Sequence, residues 1–167
     1  QAALVDSEWF YVEGYLVTDE ARTLATKVAV EAARANGVKI AISLSDPFVV
    51  AVFADALREL IGGGVDLIFC NKDEAMAFTG TETLEKAAES LKQHTKTFAI
   101  TDGANGAITF DGNAMIQSKG VDAKTIDTNG AGDMFAGAFL CAITSGKSYA
   151  WAASLANDCA ARVVAQF

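Results

Sequence analysis

The sequence predicts an α/β fold, a three-layer arrangement in which a mostly parallel sheet carries helices on both faces. Two observations point to it. Short runs of β-branched and aromatic residues alternate with longer helix-forming stretches, an order that produces right-handed crossovers between parallel strands. Composition agrees: 51% hydrophobic residues, 14 Gly and 1 Pro suit a packed core and not a disordered chain, and 167 residues make a single α/β domain over 1–167.

Each element has a local reason. Residues 9–17 (WFYVEGYLV) read as a strand ending near Gly14, and Thr18-Asp19-Glu20 opens a helix over 21–35 that Asn36-Gly37 stops. Residues 38–44 (VKIAISL) form a second strand. Ser45-Asp46-Pro47 then caps a helix over 48–61, which ends in Gly62-Gly63-Gly64. A short buried strand over 66–70 leads through Asn71-Lys72-Asp73-Glu74 into a short helix reaching Phe78. An amphipathic helix over 84–94 and a fourth strand over 97–101 follow. The turn Asp102-Gly103-Ala104-Asn105-Gly106 leads to a hairpin-like pair, 107–110 and 114–117, hinged at Asp111-Gly112-Asn113. Helices over 131–145 and 148–165 finish the chain.

Charge narrows the partners. A net charge of -8 opposes a nucleic-acid or anionic-membrane surface. No run approaches the ~18 uncharged apolar residues of a membrane span. Any phosphate site must rely on backbone amides and a metal ion. Cys70, Cys141 and Cys159 are dispersed, with no CxxC, and no basic, apolar leader is present, so a cytoplasmic location is expected.

The chemistry concentrates at Asp127-Thr128-Asn129-Gly130-Ala131-Gly132-Asp133, which precedes an apolar helix with bulky residues at 134/135, 138/139 and 142/143. Gly130, Ala131 and Gly132 leave backbone N–H groups bare, and the helix N-terminus adds partial positive charge, so the turn suits an anion. Asp133 in the first helical turn is either a cap or dipole partner, or a base placed to take a proton from a hydroxyl attacking phosphorus. In a sheet of this kind ligands bind beyond the carboxyl ends of the strands. Ser45-Asp46, Asn71 to Glu74 and Thr101-Asp102-Gly103 all follow strands and are expected at that edge with 127–133.

The other motifs have plain structural alternatives. Asn71 and Glu74, three apart, form a natural capping box. Thr101, Gly103 and Gly106 belong to what in most proteins is an ordinary turn. Asn157 in an alanine-rich helix reads as its exposed face. His94 reads as a solvated helix end, and Asp55 with Glu59 as a solvated face. Gly146-Lys147-Ser148 lacks the preceding strand and first glycine of a P-loop.

The heptapeptide Asp127 to Asp133, with its small-residue helix, resembles the C-terminal motif of the PfkB-type (ribokinase-like) carbohydrate kinases, which include adenosine kinases. The resemblance implies an ATP-dependent kinase acting on a hydroxyl of a sugar or nucleoside. Asp133 would be the catalytic base, Gly130, Ala131 and Gly132 the anion hole, and Asp127 with Asn129 would help hold a monovalent cation such as K⁺. Asn71 and Glu74 match the family's Asn-x-x-Glu motif for Mg²⁺ and the nucleotide phosphates. Thr101, Gly103 and Gly106 match its nucleotide loop, and Asn157 a position near the adenine. Asp102 departs from the family pattern, since an acid there repels a polyphosphate unless it turns away or assists the metal. Asp127-Thr128-Asn129-Gly130 with Ser45-Asp46-Pro47 is more similar to adenosine-kinase-like members than to fructokinases.

The resemblance covers nearly the whole chain but only the C-terminal half of such a kinase. It places the acceptor pocket and a small β lid, through which a homodimer would form, outside these residues. The alternative is a non-catalytic nucleotide-binding or regulatory module of the same fold.

Overall fold

The computed structural model describes Leu4, residues 6–62 and residues 64–166; Gly63, within the expected glycine stop, lies outside the described residues. The chain divides into two compact units, 1–97 and 98–167.

In the first unit, β1 (Trp9–Glu13), β2 (Lys39–Ser43) and β3 (Val65–Asn71) pair in parallel. Glu13, Ser43 and Phe69 lie side by side in the register, so β1 and β2 end level and β3 continues to Asn71. The first strand is shorter than expected. Gly14 leaves the ladder, donates its N–H to Ser45 Oγ, and starts a 3-10 turn over Gly14–Thr18. A Cβ on Gly14 would stand 2.7 Å from Leu44 O, so only glycine lets the chain turn off there.

Helix α1 (Glu20–Ala35) is capped by Asp19, which accepts the Arg22 N–H. Helix α2 (Pro47–Ile61) is capped by Asp46 with Pro47 at its first position, as the Ser-Asp-Pro turn predicts, and bends at Phe53. Arg34 of α1 donates to Ile61 O at 2.7 Å, satisfying a carbonyl at the end of α2. Helices α3 (Lys72–Thr79) and α4 (Leu84–Leu91) follow β3. The expected helix to His94 stops at Leu91, and His94 packs edge-on against Phe78 at 5.2 Å, half-buried and not solvated. Ile40, Ile42, Leu44, Leu57, Leu67, Ile68 and Phe78 are fully buried, each contributing about 1.5–3 kcal/mol of transfer free energy to this core.

Strand β4 (Thr95–Thr101) runs from the first unit into the second. Within the first unit its Thr97 Oγ1 donates to Asp66 O at 2.6 Å. Within the second unit it pairs antiparallel with β5 (Ala107–Phe110), which pairs antiparallel with β6 (Met115–Ser118). The strand order is β1-β2-β3-β4-β5-β6, a mixed sheet. The hairpin hinge is held by the Asp111 carboxylate, which accepts the N–H groups of Asn113 and Ala114. Those two bonds hold its carboxyl below the usual range.

Helix α5 (Ala131–Thr144) buries Phe135, Ala136, Phe139 and Ala142, and α6 (Tyr149–Val164) buries Ala152, Ala153, Ala156 and Asn157. Met134, expected on the buried stripe of α5, is 43% exposed. Small residues let the two helices approach closely, and Phe139 meets Tyr149 edge-on at 5.1 Å. Among the described residues no helix is long and apolar enough to cross a membrane.

Candidate functional site

The first unit collects acids where its strands end. Glu13 closes β1, Ser45 and Asp46 follow β2, and Asn71 closes β3. Ser45 sits at φ 70°, a strained position for a residue with a side chain. Its hydroxyl donates to Glu13 Oε2 at 2.7 Å and accepts the Gly14 N–H at 2.7 Å, latching the ends of β1 and β2 together. The Tyr15 phenol lies above its ordinary value, raised first by what burial it has and then by the nearby Asp46 carboxylate.

Asn71 and Glu74 do form the capping box. The Asn71 N–H donates to Glu74 Oε2 at 2.9 Å, Asn71 Nδ2 to Oε1 at 2.6 Å, and the Glu74 N–H to Asn71 Oδ1 at 2.8 Å. A cap alone leaves the charge unexplained, because Glu74 is only 5% exposed. Burial lifts its carboxyl to about 7, against the pull of the Asn71 N–H, and Asp46, Asp73 and Glu13 add to the rise. Cys70 beside it is buried, and burial with the Glu74 charge pushes its thiol well up, so it is inert as a nucleophile.

This carboxyl gives stability a pH dependence. Its folded value lies above the unfolded 4.5, so the folded form holds the extra proton and stability falls as pH rises from 4.5 to about 7. A shift of that size corresponds to about 3 kcal/mol. Urea melts on either side of the window should show the fall in the natural chain and a much flatter profile in Glu74→Gln. An identical slope in the variant would assign the effect to other groups.

In the second unit, Thr101 closes β4 opposite Ala107, and a 3-10 turn over Gly103–Asn105 follows. Gly103, at φ 54°, faces open space. Gly106, at φ 96°, is pressed against the backbone of 118–120: a Cβ there would meet Ser118 O at 2.1 Å and Gly120 N at 2.4 Å. Asp102 accepts from Asn105 Nδ2 at 3.0 Å, so part of its carboxylate is turned into its own loop. Asn157 is not on an exposed helix face. It is 8% exposed and donates Nδ2 to Ser118 Oγ at 2.7 Å and Lys119 O at 3.0 Å. Asn157 thereby pins the segment on which Gly106 rests.

The same helix braces the glycine turn. The Ile126 and Asp127 N–H groups donate to Val164 O at 2.7 and 3.3 Å, at the end of α6. Asp127 Oδ1 accepts the Asn129 N–H at 2.9 Å and Oδ2 accepts Asn129 Nδ2 at 3.3 Å. Gly130, at φ 76°, is the N-cap of α5 and brings no capping side chain. Ala131 donates its N–H to Thr128 O, whereas the N–H groups of Gly130, Gly132 and Asp133 have no acceptor among the described residues. A Cβ on Gly132 would meet nothing within 4 Å. The turn therefore presents open backbone donors, the chemistry an anion needs. Asp133 is exposed in the first turn and makes no cap to it.

The structure thus joins Asn71 with Glu74 in one unit. In the other, Asn157 of α6 holds the 118–120 segment against which Gly106 lies, and the end of α6 accepts the Ile126 and Asp127 N–H groups at the start of the glycine turn. Sequence reasoning missed Glu13 and Tyr15, whose signal is an acid followed by glycine at the end of an aromatic strand. It also missed Gly120, where a Cβ would meet Ala104 O at 2.1 Å.

Comparison with known proteins gives a consistent picture. The sequence profile of the pfkB family carbohydrate kinases matches residues 1–167. An adenosine kinase of Schizophyllum commune is 31% identical over 169 residues, covering 87% of this chain and 47% of that protein. The crystal structure of adenosine kinase from Sinorhizobium meliloti superposes with a TM-score of 0.93 at 33% identity, covering 99% of this chain and 51% of that one. An E. coli protein assigned as ribokinase II, in complex with ATP and Mg²⁺, does so with a TM-score of 0.89 at 25% identity, covering 99% of this chain and 55% of that one. The fold is the ribokinase-like three-layer α/β fold. The chain spans about half the length of these relatives.

Proposed function

This chain belongs to the pfkB family of carbohydrate kinases, and from that premise we propose that it is the nucleotide-binding, catalytic-base portion of an ATP-dependent kinase phosphorylating a hydroxyl of a sugar or nucleoside. The observation that carries the reading is the glycine turn: N–H groups of Gly130, Gly132 and Asp133 that have no acceptor among the described residues, at the start of α5, with the Asp133 carboxylate exposed beside them. Phosphoryl transfer needs positioning and charge stabilisation more than covalent help. The open amides would receive the transferred group, and Asp133 would accept the acceptor hydroxyl's proton. Adenosine or a ribose-type acceptor is favoured by the relatives named adenosine kinase.

The nucleotide would lie along the Thr101, Gly103 and Gly106 turn, with Asn157 fixing the segment behind it. Glu74 and Asn71 suit Mg²⁺, because a buried carboxyl surrounded by other acids is relieved by a cation. Among the described residues no three acidic, His or Cys side chains converge on one ion, so the chain itself would supply only part of the ion's ligands. Bound there, Mg²⁺ would neutralise phosphate charge. Asp127 and Asn129, already bonded to each other, would hold a monovalent cation such as K⁺. The proposed partners are small molecules, with a homodimer formed through a lid outside this chain.

The test is ADP release with Mg²⁺ and ATP, offering adenosine, ribose and fructose separately. Turnover with one acceptor establishes the kinase and names its substrate class. Saturable ATP binding with no turnover on any acceptor would favour the non-catalytic binding module instead.

A further inference from the structure

Three asparagines in this chain precede glycine: Asn36, Asn105 and Asn129. In such a pair the glycine nitrogen attacks the asparagine Cγ readily, because no side chain stands in the way. The attack forms an N–C bond and expels the side-chain amide as ammonia, leaving a cyclic imide. Water then opens the imide to aspartate or isoaspartate. Nothing in the local sequence ranks the three sites, since each has the same following residue.

The structure ranks them. The Gly37 N–H donates to Arg34 O at 3.1 Å, and the Gly106 N–H donates to Gly103 O at 3.1 Å. Each must give up that bond before its nitrogen can attack. The Gly130 N–H has no acceptor among the described residues, and Asn129 and Gly130 are both exposed. The side chains differ in the same sense. Asn36 Nδ2 is held by Ala32 O at 2.7 Å and Asn105 Nδ2 by Asp102 Oδ2 at 3.0 Å, but Asn129 Nδ2 reaches Asp127 Oδ2 only at 3.3 Å. Gly130 also caps α5, where the helix's partial positive charge favours loss of the amide proton and the oxyanion that forms on Cγ.

We propose that Asn129–Gly130 is a spontaneous deamidation site, the fastest of the three Asn-Gly pairs in the folded protein. Conversion places a carboxylate beside the open amides, and the isoaspartate product also lengthens the backbone just before Gly130. On the functional reading above, and resting on it, the product binds ATP more weakly, so the loop carries a built-in route to slow inactivation.

Peptide mapping by mass spectrometry of the folded chain, aged in mildly alkaline buffer, follows amide-to-acid conversion at all three asparagines. Asn129 should convert about fivefold or more faster than Asn36 and Asn105, the factor set by freeing one hydrogen-bonded amide. In denaturant the three rates should converge, and Asn129→Gln should remove the fast signal alone. Equal conversion of Asn36 or Asn105 in the folded chain, or a lead of Asn129 that persists unchanged in denaturant, would overturn the assignment. An ATP titration of aged against fresh chain reads the consequence separately: conversion with unchanged ATP affinity would remove the inactivation and leave the modification site standing.

Discussion

Asp133→Asn, made in a form of the protein that turns over, is expected to lower turnover about 100-fold or more while ATP affinity changes little. The substitution keeps the shape of the side chain and removes only its ability to accept a proton. Asp133 is exposed and makes no cap to α5, so the stability cost is limited to its interaction with the helix dipole, about 0.3–1 kcal/mol. Thermal melts alongside ADP-release assays separate the two effects. A large loss of turnover with a nearly unchanged melting temperature assigns the proton transfer to Asp133; unchanged turnover excludes it as the base.

Gly106→Ala is expected to be the most destabilising single-methyl change in the second unit. The added Cβ would sit 2.1 Å from Ser118 O, 2.4 Å from Gly120 N and 2.6 Å from Lys119 C, at φ 96°. All three are backbone atoms, and the segment cannot retreat easily because Asn157 holds Ser118 and Lys119. We expect a loss of about 3 kcal/mol or more, with strain and displaced backbone acting together. Gly132→Ala is the useful contrast. Its Cβ meets nothing within 4 Å, so its melting temperature should stay within a degree or two. The extra methyl would still cover part of the bare turn and lower turnover. If both variants melt alike, the close approach at Gly106 is not what holds the Gly103–Gly106 turn in place.

Much of this architecture was legible because its causes are local. Asp46-Pro47 and Asn71 to Glu74 announce helix starts through their own hydrogen bonds, and Asp127 to Asp133 carries a glycine turn and a helix start in seven residues. The hairpin hinge at Asp111 to Asn113 was likewise visible. Element ends were less so. The first strand stops at Glu13, where the Gly14 N–H turns to Ser45 Oγ and the bare Cα lies against Leu44, and no local pattern reports an encounter so distant in the chain.

By itself, then, the sequence determined the order of strands and helices, their caps, and the glycine turn with its acid, since periodicity, capping and backbone freedom act over a few residues. Only the tertiary structure decided what surrounds those residues. Asn157 became a buried strut because α6 packs against β6. Glu74 became a carboxyl poised near neutral pH because three strand ends bring Glu13 and Asp46 to it while burial removes water. Desolvation and charge proximity are sums over neighbours distant in sequence, so they exist only once the chain has folded.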